Sequence, residues 1–588
     1  MKQFFKFMFA SMLGFFLTFI IIFFTFIIII ASIASFSKKD DIAVPKNTVL
    51  HLKFDKPIPD RTPIEPFEEY GFSFNDNKKL GLDGIIENLK KAKEDKNIKG
   101  IYLDLSIIPS GLASLEEIRN ALLDFKESGK FILSYSEVYT QKAYYLATVS
   151  DKIYLNPEGY LDFRGFIGQV MFYKGTLDKL DVDIQIIKHG KFKSAVEPLI
   201  LDKMSEANKE QTLTYISSMW NHLTKQISKS RKISIEQLNE IADSIKIQIP
   251  EDAIKYKLVD KLIFKDEFLA ELRQKLDTKK NKKISSLSLG NYAKTPKKSV
   301  RKRSKNKIAV IYAVGNIESG EGDSQTIGSE RLSKAIRLAR KDSAVKAIVL
   351  RVNSPGGSAL ASEVIWREII LTKKVKPVIA SMGNVAASGG YYILCPANKI
   401  FAHENSITGS IGVFGVLPNM ENFFKNKLGI TYDNVKTNTH SDFGSIFREL
   451  SPYEYNVISI SVERIYQTFL QHVAQGRNMT TAEVDSIAQG RVWSGNDAKK
   501  IGLVDEIGGL DDAIACAAKT AKIDKYRIVN YPKQIDPFKE IIEKFSENTQ
   551  TSLIKKELGE SYFYFEHLKS ISEMDEIQAR LPYSIDIK

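Results

Sequence analysis

At 588 residues, 43% hydrophobic and 26% charged, the chain has a globular composition and room for about two to four domains, which excludes disordered and collagen-like polymers. Two cysteines, Cys395 and Cys516, neither in a CxxC pair, rule out a disulfide framework and leave the redox compartment open. The net charge of +13 raises nucleic acid as a partner, but no zinc pattern, RNP-like aromatic motif or helix-turn-helix accompanies it, so none is expected.

The chain begins with apolar material. No charge interrupts it from Phe7 to Ser37, and Phe15–Ile30 is almost wholly Phe, Ile, Leu and Thr. A helix rising about 1.5 Å per residue would exceed the roughly 30 Å hydrocarbon core here, so residues 1–40 are read as a membrane anchor. A cleaved signal peptide is the alternative, because Ser32-Ile33-Ala34 is a small-x-small site, but such apolar regions usually run about 7–15 residues. Lys2 and Lys6 precede the span and Lys38 and Lys39 follow it, which weakly determines orientation. The short leading segment favours an inside N-terminus with the bulk of the chain exported.

The remainder repeats itself. Lys99-Gly100-Ile101-Tyr102-Leu103 corresponds to Lys346-Ala347-Ile348-Val349-Leu350 at an offset of 247, and Ala143-Tyr144-Tyr145 to Gly390-Tyr391-Tyr392 at the same offset. Leu258-Val259-Asp260 finds Leu503-Val504-Asp505 at 245. The expected division is a first repeat over 41–278, a basic linker over 279–306, a second repeat over 307–531 and a helical tail over 532–588.

In the second repeat, strands are expected at Lys307–Ala313, Ala347–Val352 and Val378–Ser381. Helices are expected at Ser329–Arg340, with Leu332, Ile336 and Leu338 inward, at Ala361–Leu371, and from Tyr391 onward. Continuous apolar strands alternating with amphipathic helices point to α/β architecture with parallel sheets covered on both faces. Two glycine-rich turns follow consecutive strands: Asn353-Ser354-Pro355-Gly356-Gly357-Ser358 and Ala387-Ser388-Gly389-Gly390. Both fall at strand C-terminal ends, where ligands bind in such sheets. A serine opening a helix has free N–H groups beside it, and glycines let a carbonyl approach them. Ordinary turn glycines are the plainer reading of each turn alone. Neither turn matches a P-loop or a GxSxG elbow. At offset 247 the first repeat has Gln141 in place of Ser388 and Pro109-Ser110 in place of Gly356-Gly357. Its Lys193 aligns with Ser441, so a site split between the repeats fits the pattern.

The runs GKFKSAVEPL (190–199), VNSPGG (352–357), NVAASGGYY (384–392) and ITGSIGVFG (407–415) resemble, in order, those of signal peptide peptidase A of the double-length type, the protease IV family. The resemblance implies two tandem Clp/crotonase-like repeats, a homotetramer, and an ATP-independent Ser/Lys dyad acting on remnant signal peptides. It puts the nucleophile on Ser388 and the general base on Lys193, with Ser410 orienting the lysine. An oxyanion hole would form from Gly389 with Gly356 or Gly357. No cofactor or metal is implied. The location would be the cytoplasmic (inner) membrane, single-pass, with lipid contact through the first helix and the catalytic part on the exported side.

An ordinary lysine titrates near 10.4 and is protonated at neutral pH, so Lys193 must be desolvated and free of carboxylates, Glu197 included. Lys191 is the second candidate base, and a Ser/His pair through His189 or His440 stays open at this point. The seven histidines form no HExxH or other ligand spacing, which argues against a zinc hydrolase. Val385, Phe414 and Val416 beside the turns favour small or apolar residues at the cleavage position. A crotonase-type acyl-CoA enzyme and a non-catalytic membrane scaffold are the other readings.

Overall fold

A computed structural model describes residues 2–36, 43–64, 79–279, 282–296, 304–535 and 577–581. The first helix, Lys2–Phe36, is 35 residues long, and none of its apolar stretch Gln3–Thr25 is buried by the other described residues. At about 1.5 Å per residue it is longer than a bilayer core, which fits a membrane-associated protein.

Two parallel sheets follow. In the first, the strand order is Lys261–Leu262, Lys152–Leu161, Phe131–Tyr139, Ile98–Asp104, Thr48–Leu52 and Ser286–Ser288, all paired in parallel. The last strand comes from the segment expected to be a basic linker. Ser286–Ser288 and the helix Leu289–Ala293 instead extend the first sheet and cover its edge, with Leu289 and Tyr292 buried. In the second sheet, Val492–Ser494, Ile407–Gly409, Val378–Ala387, Val345–Ser354, Lys307–Val314 and Arg527–Tyr531 lie side by side. Only the outermost pair, Ile407–Gly409 with Val492–Ser494, is antiparallel on that path.

The expected elements of the second repeat are present but longer. The strand Val345–Ser354 is largely buried on both faces, as its central apolar run over residues 347–350 requires. The helix Ser329–Lys341 buries Leu332, Ala335, Ile336 and Ala339, the i, i+3, i+4, i+7 set, while Leu338 faces solvent. The inward role expected for Leu338 was therefore wrong, because small alanines complete the stripe. Ser358 caps the helix Ala359–Lys373, its side chain accepting from the Ala361 N–H. The helical pattern expected beyond residue 532 falls mainly on 536–576, outside the described residues. Within the described part of that tail, Gln578–Arg580 is a strand.

A third, smaller sheet stitches the repeats together. Its order is Thr326–Gly328, Asn316–Glu318, Gly356–Ser358, Gln578–Arg580, Phe414–Asn419 and Asp183–Lys188. The strand Asp183–Lys188 belongs to the first half of the chain and pairs antiparallel with Phe414–Asn419 over six residues. That pairing carries the loop after Lys188 to the C-terminal edge of the second sheet.

Candidate active site

The strand Val378–Ala387 ends at a sharp corner, and the helix Gly389–Leu394 begins one residue later. Ser388 forms the corner with φ 54° and ψ −117°, a conformation that costs a non-glycine residue about 1–3 kcal/mol. The corner is held from both sides. Ser388 N–H donates to the Gly409 carbonyl at 2.8 Å, and the Ser388 carbonyl accepts from Tyr392 N–H at 2.8 Å. The helix beyond is wholly buried, which fixes the position of the corner.

Lys193 arrives from the other repeat. Its loop is fastened to the second repeat by Phe192 N–H donating to the Gln489 carbonyl at 2.9 Å, and by His189 N–H donating to Val413 at 3.2 Å. Gly490, with φ +81°, lies against the Lys193 backbone so closely that a Cβ would sit 2.6 Å from the Lys193 nitrogen and Cα. Lys193 Nζ is 2.9 Å from Ser388 Oγ, 3.0 Å from Ser410 Oγ and 3.1 Å from the Ser410 carbonyl. All three residues are fully buried.

Three oxygens lie within hydrogen-bond reach of Nζ: the Ser388 hydroxyl and the two oxygens of Ser410. Burial pushes the Lys193 amine well below its usual range, and no carboxylate opposes that shift. Glu197, four residues on, binds Ser205 and Asn208 instead. Lys191 is exposed, its ammonium lying over the Phe192 ring, so it does not compete as a base. His189 is paired with Glu463 and His440 with Glu454, and among the described residues no histidine or carboxylate hydrogen-bonds Ser388.

The glycine turns converge on the same corner. Gly356 has φ +102°, and a Cβ there would lie 2.7 Å from the Gly389 nitrogen, so only glycine permits this approach. Gly356 N–H is directed at Ser354 Oγ at 3.1 Å. Gly389 N–H, in the first turn of its helix, has no intrahelical acceptor. Gly356 and Gly389 thus abut at the Ser388 corner.

Sequence reasoning missed two supports. Gly490 had no motif to mark it. Arg351, in the middle of an apolar strand, is 1% exposed and binds Asp60 at 2.8 Å, Glu117 at 2.7 Å, Ser381 at 3.0 Å and the Met382 carbonyl at 2.9 Å. Both carboxylates come from the first repeat, so this buried network ties the repeats together beneath the site. A charged residue inside AIVLRV was the only available signal.

Comparison with known proteins follows the same lines. The model of Peptidase family S49 matches two stretches, residues 124–279 and 370–524. Protease 4 of Salmonella typhi is 39% identical over 473 residues, 79% of this chain and 75% of that protein. Protease 4 of Haemophilus influenzae is 34% identical over 510 residues, 84% of this chain and 83% of that one. A chloroplastic serine protease SPPA of Arabidopsis thaliana is 34% identical over 453 residues, covering 76% and 67% respectively.

Proposed function

Since the chain belongs to peptidase family S49 and is a serine peptidase, we propose that it hydrolyses peptide bonds with Ser388 as nucleophile and Lys193 as general base. The observation that carries this reading is the 2.9 Å contact between two fully buried groups, an amine and a hydroxyl, with no carboxylate beside them. In such surroundings the amine is neutral near the working pH and takes the Ser388 proton as Oγ attacks the substrate carbonyl carbon. The N–H groups of Gly389 and Gly357 stabilise the oxyanion, while Gly356 provides clearance for the carbonyl. Lys193, now an ammonium, gives its proton to the departing amine. Water, deprotonated by the same lysine, then releases the acyl group from Ser388. Ser410 holds the amine by its hydroxyl and carbonyl throughout.

The substrates in this reading are remnant signal peptides and other exported apolar peptides, cleaved without ATP. The first helix anchors the enzyme by lipid contact in the cytoplasmic membrane, with the catalytic part on the exported side. Assembly is as a homotetramer. The buried Phe414 and half-buried Val385 and Val416 beside the corner support a preference for small or apolar side chains. The decisive experiment is cleavage of casein and of a synthetic signal peptide by the detergent-solubilised full chain, beside Ser388→Ala. Loss of cleavage and of fluorophosphonate labelling in the variant is expected; undiminished cleavage would refute the assignment.

A further inference from the structure

The strand Gln578–Arg580 runs alongside the glycine corner. It is antiparallel to Gly356–Ser358, in the register Gly356 to Arg580, Gly357 to Ala579 and Ser358 to Gln578. Two flanking bonds fix that register: Leu581 N–H donates to the Pro355 carbonyl at 2.6 Å, and Ala359 N–H donates to the Ile577 carbonyl at 3.1 Å. The alternation of an antiparallel ladder then makes Gly357 and Ala579 the pair that exchanges N–H···O bonds. Ala579 therefore presents its carbonyl to the Gly357 N–H. The same oxygen would overlap a Cβ on Gly356 and would lie 2.9 Å from one on Gly389. One carbonyl of the chain's own tail is packed against all three glycines of the proposed oxyanion corner.

The other side of this strand is occupied as well. Gln578 pairs antiparallel with Phe414, so the tail is the middle strand between Gly356–Ser358 and Phe414–Asn419. Without it those two strands would face each other across one vacant strand position, the arrangement that accepts an extended peptide by strand addition. Ala579 is fully buried and Leu581 is 4% exposed, the latter packed in the cluster that includes Ala387, Ile407 and Val492.

We infer that residues 577–581 are a tethered occupant of the peptide groove, bound in substrate register with Ala579 at the scissile carbonyl, so that an incoming peptide must displace them. This rests on the assignment of Ser388 and the glycine corner made above and adds regulation of that site. A tether supplies millimolar effective concentration, so a segment with an affinity of ~0.1 mM would slow access by about ten-fold.

The test uses the full chain in detergent and compares wild type with Ala579→Trp, whose indole does not fit the buried position. The readouts are the rate of Ser388 labelling by a fluorophosphonate and the KM for an added apolar peptide. Ala579→Trp should label about ten-fold faster and show a correspondingly lower KM. A synthetic peptide of residues 575–581 added to the variant should restore slow labelling. Leu581→Asp, which ejects the tail by a different residue, should behave like Ala579→Trp. Equal labelling rates and KM values in wild type and both variants, with casein still cleaved, would overturn the tethered occupant and leave the dyad standing. No labelling and no casein cleavage by any of the three would overturn the dyad, and the occupant with it.

Discussion

In the second repeat the strand Val378–Ala387 turns through Ser388 into the helix Gly389–Leu394, whereas in the first the strand Phe131–Tyr139 turns through Thr140 into Gln141–Ala147. Gln141 stands 247 residues before Ser388 and closes its corner. Its Oε1 accepts from the N–H groups of Arg164 and Gly165 at 3.0 and 2.8 Å, and its Nε2 donates to the Gly165 carbonyl at 2.9 Å. Gly165 precedes Gly412 by the same 247 residues, and the Gly412 carbonyl is 3.4 Å from Ser388 Oγ. One frame thus has two uses. In the first repeat an amide side chain satisfies the loop and seals it. In the second a hydroxyl sits there, and the first repeat instead contributes Lys193 from a loop that crosses over. The duplicated frame explains why both halves are present although only one has the glycine corner.

The largest test of this division is Lys193→Met. Hydrolysis of an apolar peptide should fall about 10³-fold, the scale of a lost general base. Stability should move the other way. Folding lowers the Lys193 pKa, so between the folded value and the usual ~10.4 the unfolded chain binds more protons, and stability rises with pH across that window. Below the folded value the desolvation penalty is fully present, and methionine removes it. Thermal melting near neutral pH should therefore show a higher Tm for Lys193→Met, and a lower Tm would mean the lysine is a paired ammonium.

A second test addresses the crossing loop. Gly490→Ala would force a Cβ into the Lys193 backbone at a position with φ +81°. Displacing the amine by ~1 Å should cost about 10²-fold in kcat, with KM little changed, as steady-state kinetics would record. A third sharpens the state of the amine: kcat/KM should rise about tenfold per pH unit and then level off at a pH well below 10.4, because only the neutral form accepts the proton. A profile still rising at pH 10 would describe an ordinary solvated lysine. The smallest effect belongs to the sealed corner. Gln141→Ala should lower unfolding stability by about 1–3 kcal/mol in denaturant titration through its lost hydrogen bonds, while peptide hydrolysis proceeds at the wild-type rate.

Much of the frame was readable along the chain. Strands such as Lys307–Val314 are nearly continuous apolar runs, helices such as Ser329–Lys341 show their period, and the repeat appears as matching words at an offset of 245 to 247. Where single residues misled, as with Leu338, alanines had taken the buried places. The segment 286–293 read as polar linker because a three-residue edge strand contains too few positions to display alternation.

By itself, the sequence determined the α/β class, the tandem organisation, the apolar N-terminal helix and the glycine turns around Ser388. Each of these is a local or periodic property, set by residues close together in the chain. Tertiary structure alone decided that Lys193 meets Ser388, that Gly490 shapes its loop, that Arg351 gathers Asp60 and Glu117, and that the tail at Ala579 fills the groove. The partners of these contacts are separated by well over a hundred residues. Burial, which sets the state of the Lys193 amine, is likewise a property of the packed molecule, because it depends on what excludes water from all sides.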